Sequence, residues 1–126
     1  DFKLRNIEQG VDETDADSFF LDLPNPYDYA AQVRAALRPG GFLCCLIPTF
    51  NQVEKTLYSL RRERFAFINV CEILLRFYQP EPSKLRPTDR MVAHTGFLVF
   101  ARRIEPSDDP RGKELIEEVG AQINDV

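Results

Sequence analysis

Apolar residues in this chain gather in short continuous runs separated by turn-forming clusters, the pattern of strands buried on both faces rather than of long amphipathic helices. Residues 18–23, SFFLDL, form the first such run. Leu23-Pro24-Asn25-Pro26-Tyr27 then turns the chain sharply. Asn25 is a favoured N-cap, Pro26 is tolerated at the first helical position and Asp28 adds negative charge to the first turn, so a helix is expected next. Ala30, Val33 and Leu37 fall on one face of that helix, and Arg38-Pro39-Gly40-Gly41 stops it. Residues 42–47, FLCCLI, are the most apolar segment of the chain, bounded by Gly-Gly and Pro48 as a central parallel strand would be. Thr49 and Gln52 fit the capping-box spacing, and Val53, Leu57 and Leu60 continue as a helical stripe to about Arg62.

The flanking segments carry weaker signals. Residues 2–7 alternate weakly and read as a short strand before a turn at Gln9-Gly10. Residues 67–78 are rich in β-branched and aromatic side chains and read as one long strand. Residues 79–93 contain Pro80, Pro82 and Pro87 and lack a period, as a functional or mobile loop does. Residues 95–101 form the last expected strand. No helix separates it from the preceding one, so the two should pair antiparallel. A Pro-bearing linker at 105–109 leads to an expected peripheral amphipathic helix over 112–122. The order strand, helix, strand, helix predicts a single α/β unit with a parallel sheet.

A chain of 126 residues with 44% hydrophobic content can bury one ordinary core. The net charge of -4 and pI near 5.0 weigh against a free-standing nucleic-acid binder. Local basic clusters at Arg61, Arg62 and Arg64 and at Lys84, Arg86 and Arg90 face an acidic stretch at Asp12, Glu13, Asp15 and Asp17. Solvated surface is the plain explanation for all three. The chain begins with Asp1, and Met91 is the sole methionine, which reads as a piece of something longer. No run approaches a membrane span and the start lacks signal-peptide order, so a cytoplasmic protein without a membrane partner is expected. Cys44, Cys45 and Cys71, an odd number within apolar runs, read as buried free thiols.

Four blocks carry a family resemblance: LDLPNPYDY (21–29), ALRPGGF (36–42), PTFNQVEK (48–55) and RPTDRMVAHTGFLVFARR (86–103). In order and spacing the chain resembles the C-terminal half of a class I methyltransferase dependent on S-adenosyl-L-methionine. More narrowly, it is similar to the tRNA (adenine-N1)-methyltransferases that modify adenine 58 of the T-loop. ALRPGGF alone is common among methyltransferases; the D-L-P-x-P strand end together with RP-x-x-RM-x-x-HT is far more specific. The resemblance implies a partial Rossmann-like sheet, parallel with a final antiparallel strand beside the fifth, lacking the first two strands and with residues 3–7 as the third. Residues 1–104 would be the C-terminal part of the catalytic domain, and 105–126 a linker and peripheral helix.

The resemblance also distributes roles. Asp22 becomes the candidate catalytic group, a carboxylate that orients the adenine amine and stabilises charge developing on the base. The plain alternative is that Asp22 caps the following turn. Pro24, Asn25 and Tyr27 would wall a base pocket, with Tyr27 placed to stack, although Asn25 also reads as a helix cap. Gln52 is a pocket residue by resemblance and a capping-box partner by spacing. His94 and Thr95 would stand at the pocket rim, and Arg86 and Arg90 would meet RNA phosphates. Asn6 would lie near the adenine of the cofactor. The glycine-rich turn that cradles S-adenosyl-L-methionine in this family has no counterpart, because none of the glycines forms a G-x-G pattern. With one histidine, no metal site is expected. The expected whole is a tRNA-modifying homo-oligomer whose isolated C-terminal part is inactive; the alternative is a non-enzymatic assembly or RNA-binding module that keeps the fold.

Overall fold

In the computed structural model, which describes residues 1–88 and 96–106, the chain runs through β1 (Ala16–Leu21), α1 (Ala30–Ala36), β2 (Leu37–Ile47), α2 (Phe50–Arg62), β3 (Phe65–Cys71) and β4 (Phe97–Arg103). Short 3-10 turns occupy Ile7–Gln9, Pro26–Asp28 and Pro82–Lys84. The strands form one mixed sheet in the order β1-β2-β4-β3. β1 and β2 are parallel, while β4 is antiparallel to both of its neighbours. The final strand therefore lies beside the β2 strand, as the resemblance implies.

Period-2 alternation divides the sheet into two unlike faces. Leu43, Cys45 and Ile47 of β2 and Phe97, Val99 and Ala101 of β4 point to one face, where Ala30 and Val33 of α1 and Val53 and Leu60 of α2 close a buried core with Leu21 and Phe65. The opposite face carries Phe20, Phe42 and Phe100, which stay 59%, 52% and 42% exposed. No described helix covers them. Arg102 partly shields this side: its guanidinium lies 4.4 Å from the Phe42 ring centroid and donates to the Gly40 carbonyl at 3.0 Å.

Several expected boundaries move. Residues 2–7 are not a strand; Phe2 and Leu4 are fully exposed, and Asn6 caps the 3-10 turn that follows. A strand exists only by ladder pairing, and residues 2–7 pair with no described strand. The exposed Arg5–Asp12 and Lys3–Glu13 ion pairs link this segment to the acidic connection that follows. α1 begins only at Ala30, after the 3-10 turn, and ends at Ala36, so Leu37 belongs to β2 rather than to the helix. The RPGG stretch is the irregular part of β2. Ala16 pairs with Leu37 but Ser18 already pairs with Phe42, so residues 38–41 bulge out of the ladder. Gly40 has φ +75°, and a Cβ on Gly41 would sit 2.9 Å from the Arg38 carbonyl oxygen.

β3 stops at Cys71 instead of continuing to Tyr78. Cys71 pairs with Leu98, and β4 begins one residue earlier, so the partner strand runs out. The chain beyond folds on itself: Gln79 N donates to the Arg86 carbonyl and Thr88 N to the Phe77 carbonyl, both at 2.9 Å. These bonds flank the Tyr78–Pro87 bridge and so need no N–H from Pro87. Part of the expected loop is thus a hairpin arm. The helix expected over 112–122 lies outside the described residues. The cysteines are free, but only Cys45 is buried; Cys44 and Cys71 are half-buried, contrary to the expectation of three buried thiols.

Candidate functional site

Parallel pairing of β1 with β2 brings Asp22, one residue past β1, to the same sheet edge as Pro48 and Thr49, just past β2. β3 runs in the same direction as β2, since both oppose β4, so the hairpin arm also leaves from that edge. Gly96 enters β4 there. Topology alone thus gathers parts of three of the four sequence blocks at the carboxyl ends of the parallel strands, the place where open α/β sheets bind ligands.

Asp22 is exposed, and no side-chain hydrogen bond or ion pair ties its carboxylate to a described residue. The turn-cap alternative has no bond to support it. The turn after Asp22 is instead held from outside. Pro24 and Pro26 lack N–H groups, so the turn has few donors of its own. α2 provides them: Gln52 Nε2 donates to the Pro24 carbonyl at 2.8 Å, and Ser59 Oγ donates to the Tyr27 carbonyl at 2.7 Å. Between them Lys55 Nζ stands 5.4 Å from the centroid of the half-buried Tyr27 ring. Residues 52, 55 and 59 share one face of α2 by helical spacing.

Asn25 does not cap as expected. Its side chain accepts no backbone N–H; the amide Nδ2 donates to Asp28 Oδ2 at 2.8 Å and to Tyr29 Oη at 3.4 Å. The amide is oriented by its donor bonds, of which the one to the Asp28 carboxylate is charge-assisted. At α2 the expected cap is present in altered form. Thr49 Oγ1 accepts from Gln52 N at 3.4 Å, but the Gln52 side chain does not reach back to the Thr49 main chain; Thr49 Oγ1 donates to Gln52 Oε1 at 2.7 Å.

Arg86 lies exposed on the hairpin arm, where its Nε donates to Gln79 Oε1 at 3.3 Å. Arg90, His94 and Thr95 lie outside the described residues. Asn6 is not at a strand end: its Oδ1 accepts from Glu8 N at 3.1 Å and its Nδ2 donates to Glu8 Oε2 at 3.3 Å. Both functions of the amide are therefore committed, on an exposed N-terminal segment. Gly10 closes a 3-10 turn and Gly40-Gly41 sit in the β2 bulge, so no described glycine opens a strand-to-helix phosphate-type or methionine-type cradle. Among the described residues, no group of three His, Cys, Asp or Glu could hold a metal ion. None of their helices is long and apolar enough to cross a membrane.

Sequence reading missed Ser59 and Lys55. The available signal was a polar Ser59 beside Leu60 in the helical stripe, a place where a buried hydroxyl needs a partner.

With this geometry in place, comparison with known proteins decides the family. Residues 2–88 match the model described as the tRNA methyltransferase complex GCD14 subunit. The chain belongs to that family. It is 34% identical over 114 residues to the tRNA (adenine(57)-N(1)/adenine(58)-N(1))-methyltransferase TrmI of Methanocaldococcus jannaschii, covering 89% of this chain and 40% of the relative. A structure of an S-adenosylmethionine-dependent O-methyltransferase from Thermotoga maritima superposes with a TM-score of 0.78 at 44% identity, covering 85% of this chain and 40% of the other. The structure of tRNA (m1A58) methyltransferase TrmI from Aquifex aeolicus gives 0.73 at 35% identity, with 79% and 40% covered. This member of the GCD14 family thus spans about two fifths of each of these three proteins. Its mixed sheet is that of the class I S-adenosylmethionine-dependent methyltransferases.

Proposed function

We propose that this chain is the C-terminal, target-base half of a tRNA (adenine-N1)-methyltransferase acting on adenine 58, and that it is inactive without the rest of the fold. The observation that carries the reading is Asp22: an exposed carboxylate at the carboxyl edge of the parallel strands, unspent on local bonds and followed by a turn fixed from α2. Methylation of adenine N1 places positive charge on the ring and its exocyclic amine. Asp22 accepts a hydrogen bond from that amine, holds the base in register and stabilises the charge as it develops. Tyr27 and Pro24 form the wall beside it, while Arg86 and Arg90, and the rim residues His94 and Thr95, meet the RNA.

S-adenosyl-L-methionine supplies the methyl group in the complete protein. In the strand order 3-2-1-4-5-6 of doubly wound sheets, the third strand is separated from the fourth by two others. The unpaired residues 2–6 and the free edge of β1 fit that order with strands one and two in another part of the protein. The exposed face at Phe20, Phe42 and Phe100 fits coverage by that part and by association into a homo-oligomer. A cytoplasmic site of action goes with a tRNA substrate.

The test is methyl transfer to a tRNA transcript by the complete protein. Asp22→Asn should lower turnover by about a hundredfold or more while cofactor affinity, measured by calorimetry, is unchanged. Retained turnover would reduce Asp22 to a turn residue. The second reading is a non-enzymatic assembly or RNA-binding module that keeps the fold. In that case the complete protein binds tRNA but neither binds the cofactor nor transfers methyl groups.

A further inference from the structure

We infer that Gln52 is a positioning residue for Asp22, acting through the Pro24 carbonyl, rather than a residue that contacts the target base. The inference rests on the functional reading above, and it begins from the bonds that the Gln52 side chain makes. A carbonyl oxygen can only accept, so the amide must turn its NH2 toward Pro24, at 2.8 Å. Its oxygen then faces Thr49, whose hydroxyl donates at 2.7 Å. That hydroxyl in turn accepts from Gln52 N at 3.4 Å, fixing the orientation of the whole group. One N–H and one oxygen lone pair of the amide are thus engaged with the protein, and together they set its orientation.

What these bonds hold is the geometry of the carboxylate. Asp22 and Pro24 are separated by Leu23 alone, and Leu23 packs against the buried core. The carboxylate therefore hangs from a short segment with one end in β1 and the other clamped at the Pro24 carbonyl. The turn's own i to i+3 bonds run from Asp28 N to the Asn25 carbonyl and from Tyr29 N to the Pro26 carbonyl, so neither reaches the Pro24 carbonyl or replaces that clamp. The side chain of Gln52 couples the α2 N-terminus, at the end of β2, to the strand end that carries Asp22. Two adjacent parallel strands are thereby locked at their carboxyl ends by one amide.

Two measurements test this. In the first, hydrogen exchange is followed on the chain for Gln52→Met, which keeps length without a donor, and Gln52→Lys, which keeps a donor within reach of Pro24. The Asp28 and Tyr29 amides that close the 3-10 turn should exchange about tenfold faster in the Met variant. The β2–β4 ladder should be unchanged, and Lys should restore most of the protection. Unchanged turn amides, or no rescue by Lys, overturns the clamp; loss of ladder protection as well makes Gln52 a general structural residue and overturns the inference too.

In the second, the complete protein carrying Gln52→Met is assayed for methyl transfer to a tRNA transcript. Turnover should fall by about tenfold to a hundredfold with KM for tRNA unchanged, as for a misplaced catalytic group. A rise in KM alone would mean that Gln52 binds RNA directly. If the unaltered protein transfers no methyl group, the functional reading fails and the positioning role with it, while the exchange result still reports whether the clamp exists.

Discussion

The Ser59 hydroxyl, buried on the inner face of α2, donates to the main-chain carbonyl of Tyr27 at 2.7 Å. The bond crosses from one element to another and satisfies a polar atom on each side, so its removal strands a carbonyl in a region from which water is largely excluded. Ser59→Ala should cost about 1 to 3 kcal/mol. The expected reading is a lower urea midpoint at unchanged m-value. An unchanged midpoint would show that the Pro26–Asp28 turn is held by its own bonds.

A second lock sits at the opposite edge of the sheet. Arg34 donates to the Arg64 carbonyl at 2.9 Å and to the Ile104 carbonyl at 2.8 Å, while Arg103 donates to the Arg34 carbonyl at 3.0 Å and to Glu105 Oε1 at 2.9 Å. The end of α1 is thus fastened to the ends of β3 and β4. Burial lowers the pKa of the Arg34 guanidinium from its ordinary value, and the Glu105 carboxylate opposes that shift. Arg34→Met should cost about 2 kcal/mol by removing two charged donors at once. Arg34→Lys should recover only part, because an ammonium cannot span both carbonyls with a planar fork. Equal stability of Lys and Arg variants in urea would contradict the bidentate account.

Much of this was visible in the residues before any coordinates. Continuous apolar runs located β1 and β2, the Thr49–Gln52 spacing located the start of α2, and the lack of an intervening helix made β4 antiparallel to β3. What escaped was whatever depends on a partner. Residues 2–7 have the alternation of a strand, but alternation specifies a face and cannot provide a neighbouring edge. Residues 72–78 are as strand-like in composition as residues 65–71, yet β4 begins at Phe97, one residue before the partner of Cys71. At the site, the placement of Asp22 at a strand end followed from FFLDLP. The bridge from Gln52 to Pro24 did not, because the capping box predicts a bond within the helix start, whereas the amide was captured by a carbonyl 28 residues away in sequence.

Cys45 gives a pH prediction with a defined sign. Its thiol sits in the core of β2, paired in register with Leu21 on one side and Val99 on the other. Burial, with a smaller contribution from Cys44, raises its pKa to about 12. An acid whose pKa is raised on folding keeps its stabilising contribution below the unfolded value and loses it as pH climbs toward the folded value. Thermal stability should therefore decline between about pH 9 and pH 12, and Cys45→Ala, less stable at neutral pH, should lose less over the same interval. Alkylation by iodoacetamide at neutral pH should spare Cys45 while it remains folded. Rapid labelling of Cys45 in the native chain would refute its burial.

The uncovered sheet face makes the last prediction. Phe20 of β1, Phe42 of β2 and Phe100 of β4 follow one another across the paired strands, since Phe20 is opposite Cys44 and Cys44 is opposite Phe100, with Phe42 two residues along β2. They form a contiguous apolar patch, not scattered exposed residues, and contiguous patches of this kind bind apolar partners or dyes. The isolated chain should bind an environment-sensitive hydrophobic dye in its folded state. Replacing Phe20 and Phe100 by Gln should reduce that binding severalfold while shifting the urea midpoint little, because neither side chain belongs to the helix-covered core. Dye binding that persists in the double variant would move the exposed apolar surface to the arm at Ile73, Leu75 and Phe77, which is also open to solvent. A large loss of stability would instead mean that this face is packed in solution, and that the two faces of the sheet are less unequal than their exposures indicate.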